Sequence, residues 1–103
     1  MGNDLIHYKV TGEVQGVNFR YYTQKEGNKL GLRGWVRNQR DSSVEGVAAG
    51  PADKIKEFRL FLQKGPSAAT VEKLHLVSEK HDASEEEISK ALGGGSKGYE
   101  VRR

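Results

Sequence analysis

Residues 5–14 alternate, with Ile6, Tyr8, Val10, Gly12 and Val14 on one side and Leu5, His7, Lys9, Thr11 and Glu13 on the other. A period of two describes a half-buried strand. From Phe19 the period changes. Phe19, Thr23, Gly27 and Leu30 recur at helical spacing with Tyr22 beside them, while Lys25, Glu26 and Lys29 fall largely on the polar side. Gly31 ends this helix at the first position beyond its C-cap. Gly27 weakens a helix by about 0.5–1 kcal/mol relative to Ala, which predicts close packing against a sheet. Gly34–Gln39 and Val44–Gly50 read as two strands joined by the turn formers of Arg40-Asp41-Ser42-Ser43. Val44, Gly46 and Ala48 are expected to face inward with Glu45 more exposed. Trp35 and Val36 take opposite faces, one in the core and one under a helix or loop.

A second helix starts at Gly50-Pro51-Ala52-Asp53, with the proline near its first position. Ile55, Phe58, Arg59 and Leu62 share its buried face, Phe61 lies near the edge, and Gly65-Pro66 stops it. Val71, Leu74 and Leu76 mark a fourth strand, with His75 and Val77 on the other face. Ser84-Glu85-Glu86-Glu87 fits a capping box ahead of a short apolar stripe of Ile88, Ala91 and Leu92. Gly93-Gly94-Gly95-Ser96 reads as flexible, and Tyr99-Glu100-Val101 as a last short edge strand.

The order strand, helix, strand, strand, helix, strand predicts an α+β fold. It is the ferredoxin-like βαββαβ sandwich, an antiparallel sheet with two helices on one face. Strands one and three are expected to pair in parallel through a right-handed crossover. The 103 residues suit one small domain, with a core over residues 1–81 and an atypical C-terminal segment over 82–103 belonging to the same domain.

Charge is uneven: the net +3 is concentrated in residues 1–40, which hold seven basic and three acidic side chains. That field suits a small anionic ligand or nucleic acid. The chain has no cysteine, which removes thiol catalysis, disulfides and Cys-based metal sites. It shows no membrane-length apolar run and no signal-peptide pattern at its start, so a cytoplasmic protein with no membrane partner is the default expectation. The three histidines have no tight ligand spacing, and Glu85, Glu86 and Glu87 read as a solvated helix start. No metal and no cofactor are expected.

The candidate chemistry lies between the first strand and the first helix. Gln15-Gly16-Val17-Asn18-Phe19-Arg20 is a glycine turn leading into a helix start. The first N–H groups of a helix lack intrahelical partners and favour anions, and turn N–H groups can form a phosphate nest. Arg20 adds a planar cation able to grip phosphate with two bonds. A cation in a first helical turn is poorly placed for the helix dipole, unless an anion binds between it and the helix end. A glycine pair alone would signal only a turn. Asn38, near a strand end, reads by itself as a turn former.

Gly12-x-Val14-Gln15-Gly16-Val17-x-Phe19-Arg20, then Gly31-x-x-Gly34-Trp35-Val36-x-Asn38, Val44-Glu45-Gly46 and Gly50-Pro51, resembles the acylphosphatase family up to about Leu76. Tyr99-Glu100-Val101-Arg102 resembles the family's ending, whereas the acidic segment and glycine run before it depart from the pattern. The resemblance implies hydrolysis of acyl phosphates to carboxylate and inorganic phosphate. It makes Arg20 a catalytic phosphate-binding residue and Asn38 the residue that orients the attacking water. The loop N–H groups from Gln15 to Arg20 would bind phosphate, which as product would also inhibit competitively. Gln39 stands where the family often has a small hydroxyl residue, which puts the orientation of Asn38 in question. The expected protein is a monomer with no specific nucleic-acid partner. The rival readings are a ferredoxin-like nucleic-acid-binding module, against which the absence of an RNP1 pattern counts, and an inactive domain that binds phosphorylated ligands.

Overall fold

The computed structural model describes residues 3–15, 18–67, 69–93 and 98–102. Its elements run β1 (Asn3–Glu13), α1 (Phe19–Lys29), β2 (Arg33–Asn38), β3 (Val44–Pro51), α2 (Ala52–Lys64), β4 (Thr70–Ala83), α3 (Glu85–Leu92) and β5 (Tyr99–Val101). The five strands form one sheet in the order β4-β1-β3-β2-β5. The α+β ferredoxin-like fold is therefore present, with a third helix and a fifth strand added.

The alternation in β1 divides the molecule into two layers. Ile6, Tyr8 and Val10 join Val36, Val44 and Ala48 on one sheet face and pack on Phe19 of α1 and Ile55, Phe58 and Leu62 of α2. The opposite face carries Leu5, Trp35, Val47 and Ala49, which pack on Ile88 and Leu92 of α3. Val36 is thus core and Trp35 lies under a helix, as their opposite faces require. Covering both faces alters β3, where Gly46 to Gly50 are all buried. The expected inward set of Val44, Gly46 and Ala48 is correct for one face. Alternation of burial is lost because α3 closes the other.

The expected parallel pairing of strands one and three is wrong: β1 and β3 are antiparallel, from Asn3 opposite Pro51 to Val10 opposite Val44. The β2–β3 hairpin reverses the chain and inserts β3 between β1 and β2. The two strands joined through α1 therefore run the same way without touching. Parallel pairing occurs instead between β2 and β5, from Gly34–Tyr99 to Val36–Val101. A smaller correction concerns Pro51, which is the N-cap of α2, so the helical residues begin at Ala52.

Val71 and Leu74 could not share a face in a regular strand, yet both pack on the core with Leu76. A register shift between Thr11 and Gly12 pairs Gly12 with Val71 and Thr11 with Lys73. The extra residue, Glu72, returns Val71 to the core side. The capping box forms as expected, with Glu87 N donating to Ser84 Oγ at 3.1 Å and Ser84 N donating to Glu87 Oε1 at 2.9 Å. Gly93 ends α3 with a left-handed backbone, as expected of the glycine run; the rest of the run, read as flexible, lies outside the described residues.

Tyr99 fixes β5 to the core. Its hydroxyl donates to Trp35 O at 3.1 Å and lies 2.5 Å from that of Tyr8. A Cβ on Gly27 would lie 2.6 Å from Tyr99 Cγ and 2.9 Å from Tyr99 Cβ. Gly27 therefore exists to admit the base of that ring, which cannot swing aside as a flexible chain end could. Gly27→Ala should lower stability by about 1–3 kcal/mol despite its gain in helix propensity, as a smaller urea midpoint would show. Burial pushes the Tyr8 and Tyr99 phenols well above the ordinary tyrosine value, more than their mutual hydrogen bond lowers that of Tyr8. An acid whose folded pKa is raised stabilises the fold below its unfolded value, and that stabilisation is lost as pH rises beyond it. Stability should therefore decline above about pH 10. Two tyrosinates' worth of absorbance at 295 nm should appear only as the far-ultraviolet circular dichroism collapses.

Candidate active site

The first strand ends at Glu13, and the chain turns at Val14, whose side chain is buried in the main core. Gln15 follows. Gly16 and Val17, both expected in the phosphate loop, lie outside the described residues. The chain resumes at Asn18, whose left-handed backbone (φ 59°, ψ 27°) forms the N-cap of α1. Asn18 makes no side-chain cap, and the first turn carries no acidic residue. The helical ladder begins when Tyr22 N donates to Asn18 O at 3.0 Å. The N–H groups of the first turn precede that ladder and are left for an external acceptor. Phe19 anchors this start in the core.

Gln15, Asn18, Arg20 and Asn38 line one cavity of about 280 Å³. The structure therefore gathers the expected cation and the expected amide at one site, although they sit on different elements. Arg20 is half-buried, and its Nη1 donates a long 3.4 Å bond to Arg102 O beyond β5. Such a bond orients the guanidinium while leaving most of its five donors uncommitted. Asn38 closes β2. Its Oδ1 is buried and has no hydrogen-bond partner among the described residues. A buried amide oxygen without a partner is costly and uncommon, and the residue that carries it lines the cavity. The oxygen can accept a hydrogen bond from water or from a ligand donor.

The side chain of Gln15 makes contacts that its place in the motif does not reveal. Its Nε2 donates to Gln39 O and to Ser43 O, both at 2.9 Å. Those carbonyls face each other across the base of the β2–β3 hairpin, where Gln39 N also donates to Ser43 O at 2.8 Å. Gln15 thus ties the loop to the residue following Asn38. The hairpin is stiff on its own account. Asp41 Oδ1 accepts from Ser43 N at 3.0 Å and Ser43 Oγ at 2.5 Å, and Lys9 Nζ donates to Asp41 Oδ2 at 2.6 Å. The bonds from Lys9 and Ser43 hold the Asp41 carboxyl below the usual carboxylate range.

Gln39 does not orient Asn38. Its amide donates to Glu45 Oε1, which also accepts from Arg37 Nε at 3.0 Å and Nη2 at 2.8 Å. His7 Nε2 meets Glu45 Oε2 at 2.7 Å. Burial raises the Glu45 pKa, but the bonds from His7 and Arg37 together outweigh it and leave the carboxyl below its ordinary value. His75 is exposed, and His81 pairs with Asp4 at 3.0 Å. Among the described residues no group of three or more His, Asp or Glu side chains is placed to hold a metal. The face that a nucleic-acid module would use is partly covered by α3. Its Trp35 ring has the Arg37 and Arg102 guanidinium groups over it at 5.1 and 5.3 Å and donates to Ala91 O at 3.3 Å.

The cavity also takes in Tyr21 and Gln24 of α1 and Val101 of β5, none of which the motif reading singled out. Arg20 and Gln24 are one helical turn apart and Tyr21 lies beside them, so spacing could have signalled this stripe. Nothing local could have signalled Val101.

The sequence profile of the family described as acylphosphatase matches residues 6–89. Acylphosphatase-1 of Xenopus tropicalis is 46% identical over 76 residues, which is 73% of this chain and 78% of that protein. The structure of an acylphosphatase from Coxiella burnetii superposes with a TM-score of 0.79 at 32% identity, covering 98% of this chain and 94% of that one. The acylphosphatase from Bacillus subtilis superposes with a TM-score of 0.80 at 29% identity, covering 97% and 99%. Replacing Gln15 by alanine removes one of two donors from each of the Gln39 and Ser43 carbonyls, which keep Ser42 N and Gln39 N. It should cost about 1–2 kcal/mol of stability in chemical denaturation, with faster amide exchange at Gln39 and Ser43.

Proposed function

The chain belongs to the acylphosphatase family and hydrolyses the carboxyl–phosphate bond of acyl phosphates, and on that premise we propose that Arg20 binds the phosphoryl group and Asn38 orients the attacking water. The observation that carries this reading is that Asn38, whose Oδ1 is buried and unpartnered among the described residues, lines the same cavity as Arg20 and the start of α1. The substrate is a mixed anhydride with a good leaving group, so the protein has little covalent chemistry to perform. It must hold the phosphoryl group, spread its charge and aim a water in line.

Arg20 and the N–H groups from Gln15 through Phe19 supply the binding and the charge stabilisation; of this loop, Gly16 and Val17 enter on the strength of the sequence motif. Asn38 Oδ1 accepts one water proton in a hydrogen bond and directs the water oxygen at phosphorus. The P–O bond to the acyl group breaks, and its electron pair leaves with the carboxylate. The second water proton passes to a phosphate oxygen, so no protein base is needed. Inorganic phosphate, the product, occupies the same donors and competes with substrate. No metal or cofactor takes part in this scheme.

The sheet and both added elements act as one domain in this reading, with residues 82–103 completing rather than extending the core of 1–81. We infer a monomer, as the sequence reading expects. A cytoplasmic location is the setting we infer from the sequence. No helix among the described residues is long and apolar enough to cross a membrane.

The test is hydrolysis of benzoyl phosphate in EDTA, followed by ultraviolet absorbance. The wild type should turn over at full rate without added metal, and sedimentation should give a species near 11.4 kDa. Asn38→Ala should lower kcat by about 10²–10³-fold with little change in KM. Arg20→Ala should chiefly raise KM and the inhibition constant of phosphate. Near-normal kcat in Asn38→Ala would end its assignment as the water-orienting residue.

A further inference from the structure

We propose that Glu45 is a positioning residue for the reaction, holding Asn38 in place through the two residues that flank it; the proposal rests on the water-orienting role given to Asn38 above. Asn38 is the last residue of β2, and its side chain makes no hydrogen bond to any described residue. The aim of its amide is therefore set by the backbone that carries it. A strand end beside a turn opens more readily than a strand centre, so something must hold this one.

The Glu45 carboxylate grips both neighbours of Asn38. Its Oε1 accepts from Arg37 Nε at 3.0 Å, from Arg37 Nη2 at 2.8 Å and from the Gln39 amide. Arg37 pairs with Glu45 across β2 and β3, and Asn38 pairs with Val44, whose side chain is in the main core. Successive side chains of a strand point to opposite faces. Glu45 and Arg37 thus lie on the face away from the main core, and Asn38 lies on the cavity side. Neither flanking side chain bonds the Asn38 amide. One oxygen holds the residue before it and the residue after it, which fixes the pleat between them.

The clamp is itself anchored. The Glu45 side chain is only 17% exposed, and its Oε2 meets His7 Nε2 on β1 at 2.7 Å. The Arg37 guanidinium also lies 5.1 Å over the Trp35 ring. The carboxylate therefore links three strands, through charge-assisted bonds roughly twice as strong as neutral ones. A cross-strand Arg37–Glu45 pair alone would serve the sheet. The bond from Gln39 reaches past the last residue of β2, and it is this bond that encloses Asn38. Gln15 holds the Gln39 carbonyl from the loop side, so the residue after Asn38 is held at both its backbone and its side chain. A misplacement of about 1 Å costs on the order of 10²-fold in a reaction limited by geometry. Loosening one clamp of several costs less.

The experiment is a double-mutant cycle on benzoyl phosphate hydrolysis, with kcat, KM and the inhibition constant of phosphate measured for each protein. Glu45→Ala should lower kcat about tenfold, with KM and phosphate inhibition within about twofold of wild type, since the phosphate donors stay in place. Glu45→Gln should recover kcat to within about threefold, because its amide oxygen can still accept from Arg37 and Gln39. In an Asn38→Ala background, Glu45→Ala should change kcat by less than about twofold, because a residue that acts through Asn38 has nothing left to position. Arg37→Ala/Gln39→Ala releases both flanks and keeps the carboxylate. It should reproduce the loss and its disappearance with Asn38→Ala, and it replaces Glu45→Ala in the cycle where that variant does not fold. An unchanged kcat in folded Glu45→Ala, or an equal loss whether or not Asn38 is present, would overturn the positioning role and leave the Asn38 assignment standing. A rise in KM and in the phosphate inhibition constant with kcat unchanged would also overturn it, because Glu45 would then act on the loop. Near-normal kcat in Asn38→Ala alone would instead overturn the water-orienting reading, and the positioning role with it.

Discussion

The hydroxyls of Tyr8 on β1 and Tyr99 on β5 meet 2.5 Å apart, and that of Tyr99 donates to Trp35 O at 3.1 Å. With Tyr99 committed to that carbonyl, Tyr8 is the donor to Tyr99, so two buried phenols are satisfied by one directed chain. Neither ring could sit there if its neighbours carried side chains. Gly27 admits the base of Tyr99, and Gly46 lies against the Tyr8 hydroxyl. The arrangement fastens a three-residue strand that would otherwise hold few contacts. The side chain of Asn28 adds to it, accepting from Tyr99 N at 2.9 Å and donating to Tyr99 O at 3.1 Å.

Fixing β5 in this way builds the far wall of the cavity. Val101 contributes to that wall, and Arg102 O accepts from the Arg20 guanidinium. Arg102 itself is held from three sides: its N donates to Val36 O at 2.8 Å, its Nη2 donates to Leu92 O at 2.8 Å, and its guanidinium lies over Trp35. The cation at the end of α3 also suits that helix's dipole. The C-terminal segment, whose sequence departs most from the family pattern, is thereby coupled to the residue that gives the site its charge. Gln15 does the same from the other side by joining the loop to the hairpin. The site is sparse in chemistry and rich in tethers, as a reaction limited by positioning requires.

Most elements were legible because their signals are local. Alternation in β1, helical spacing in α1 and α2, Gly31 and Gly65 as helix ends, and the capping box at Ser84 each depend on residues within one or two turns of one another. Arg20 was legible for a similar reason, since a cation in a first helical turn is anomalous unless an anion is bound. Asn38 was not legible from its own surroundings and needed the family resemblance. Its distinguishing property, a buried oxygen without a partner, exists only once the strand end has been packed.

The sequence by itself determined which segments fold as helix or strand and which face of each is apolar. Tertiary structure alone decided that β3 lies antiparallel between β1 and β2. It also decided that α3 buries the second face of β3, that Glu72 bulges to bring Val71 inward, and that Gln39 turns to Glu45 while Gln15 takes its carbonyl. The division has a physical cause. Periodicity and caps record interactions between near neighbours, whose geometry the backbone fixes in advance. Strand order, bulges and side-chain partners depend on which distant surfaces meet, and that is settled by packing the whole core at once.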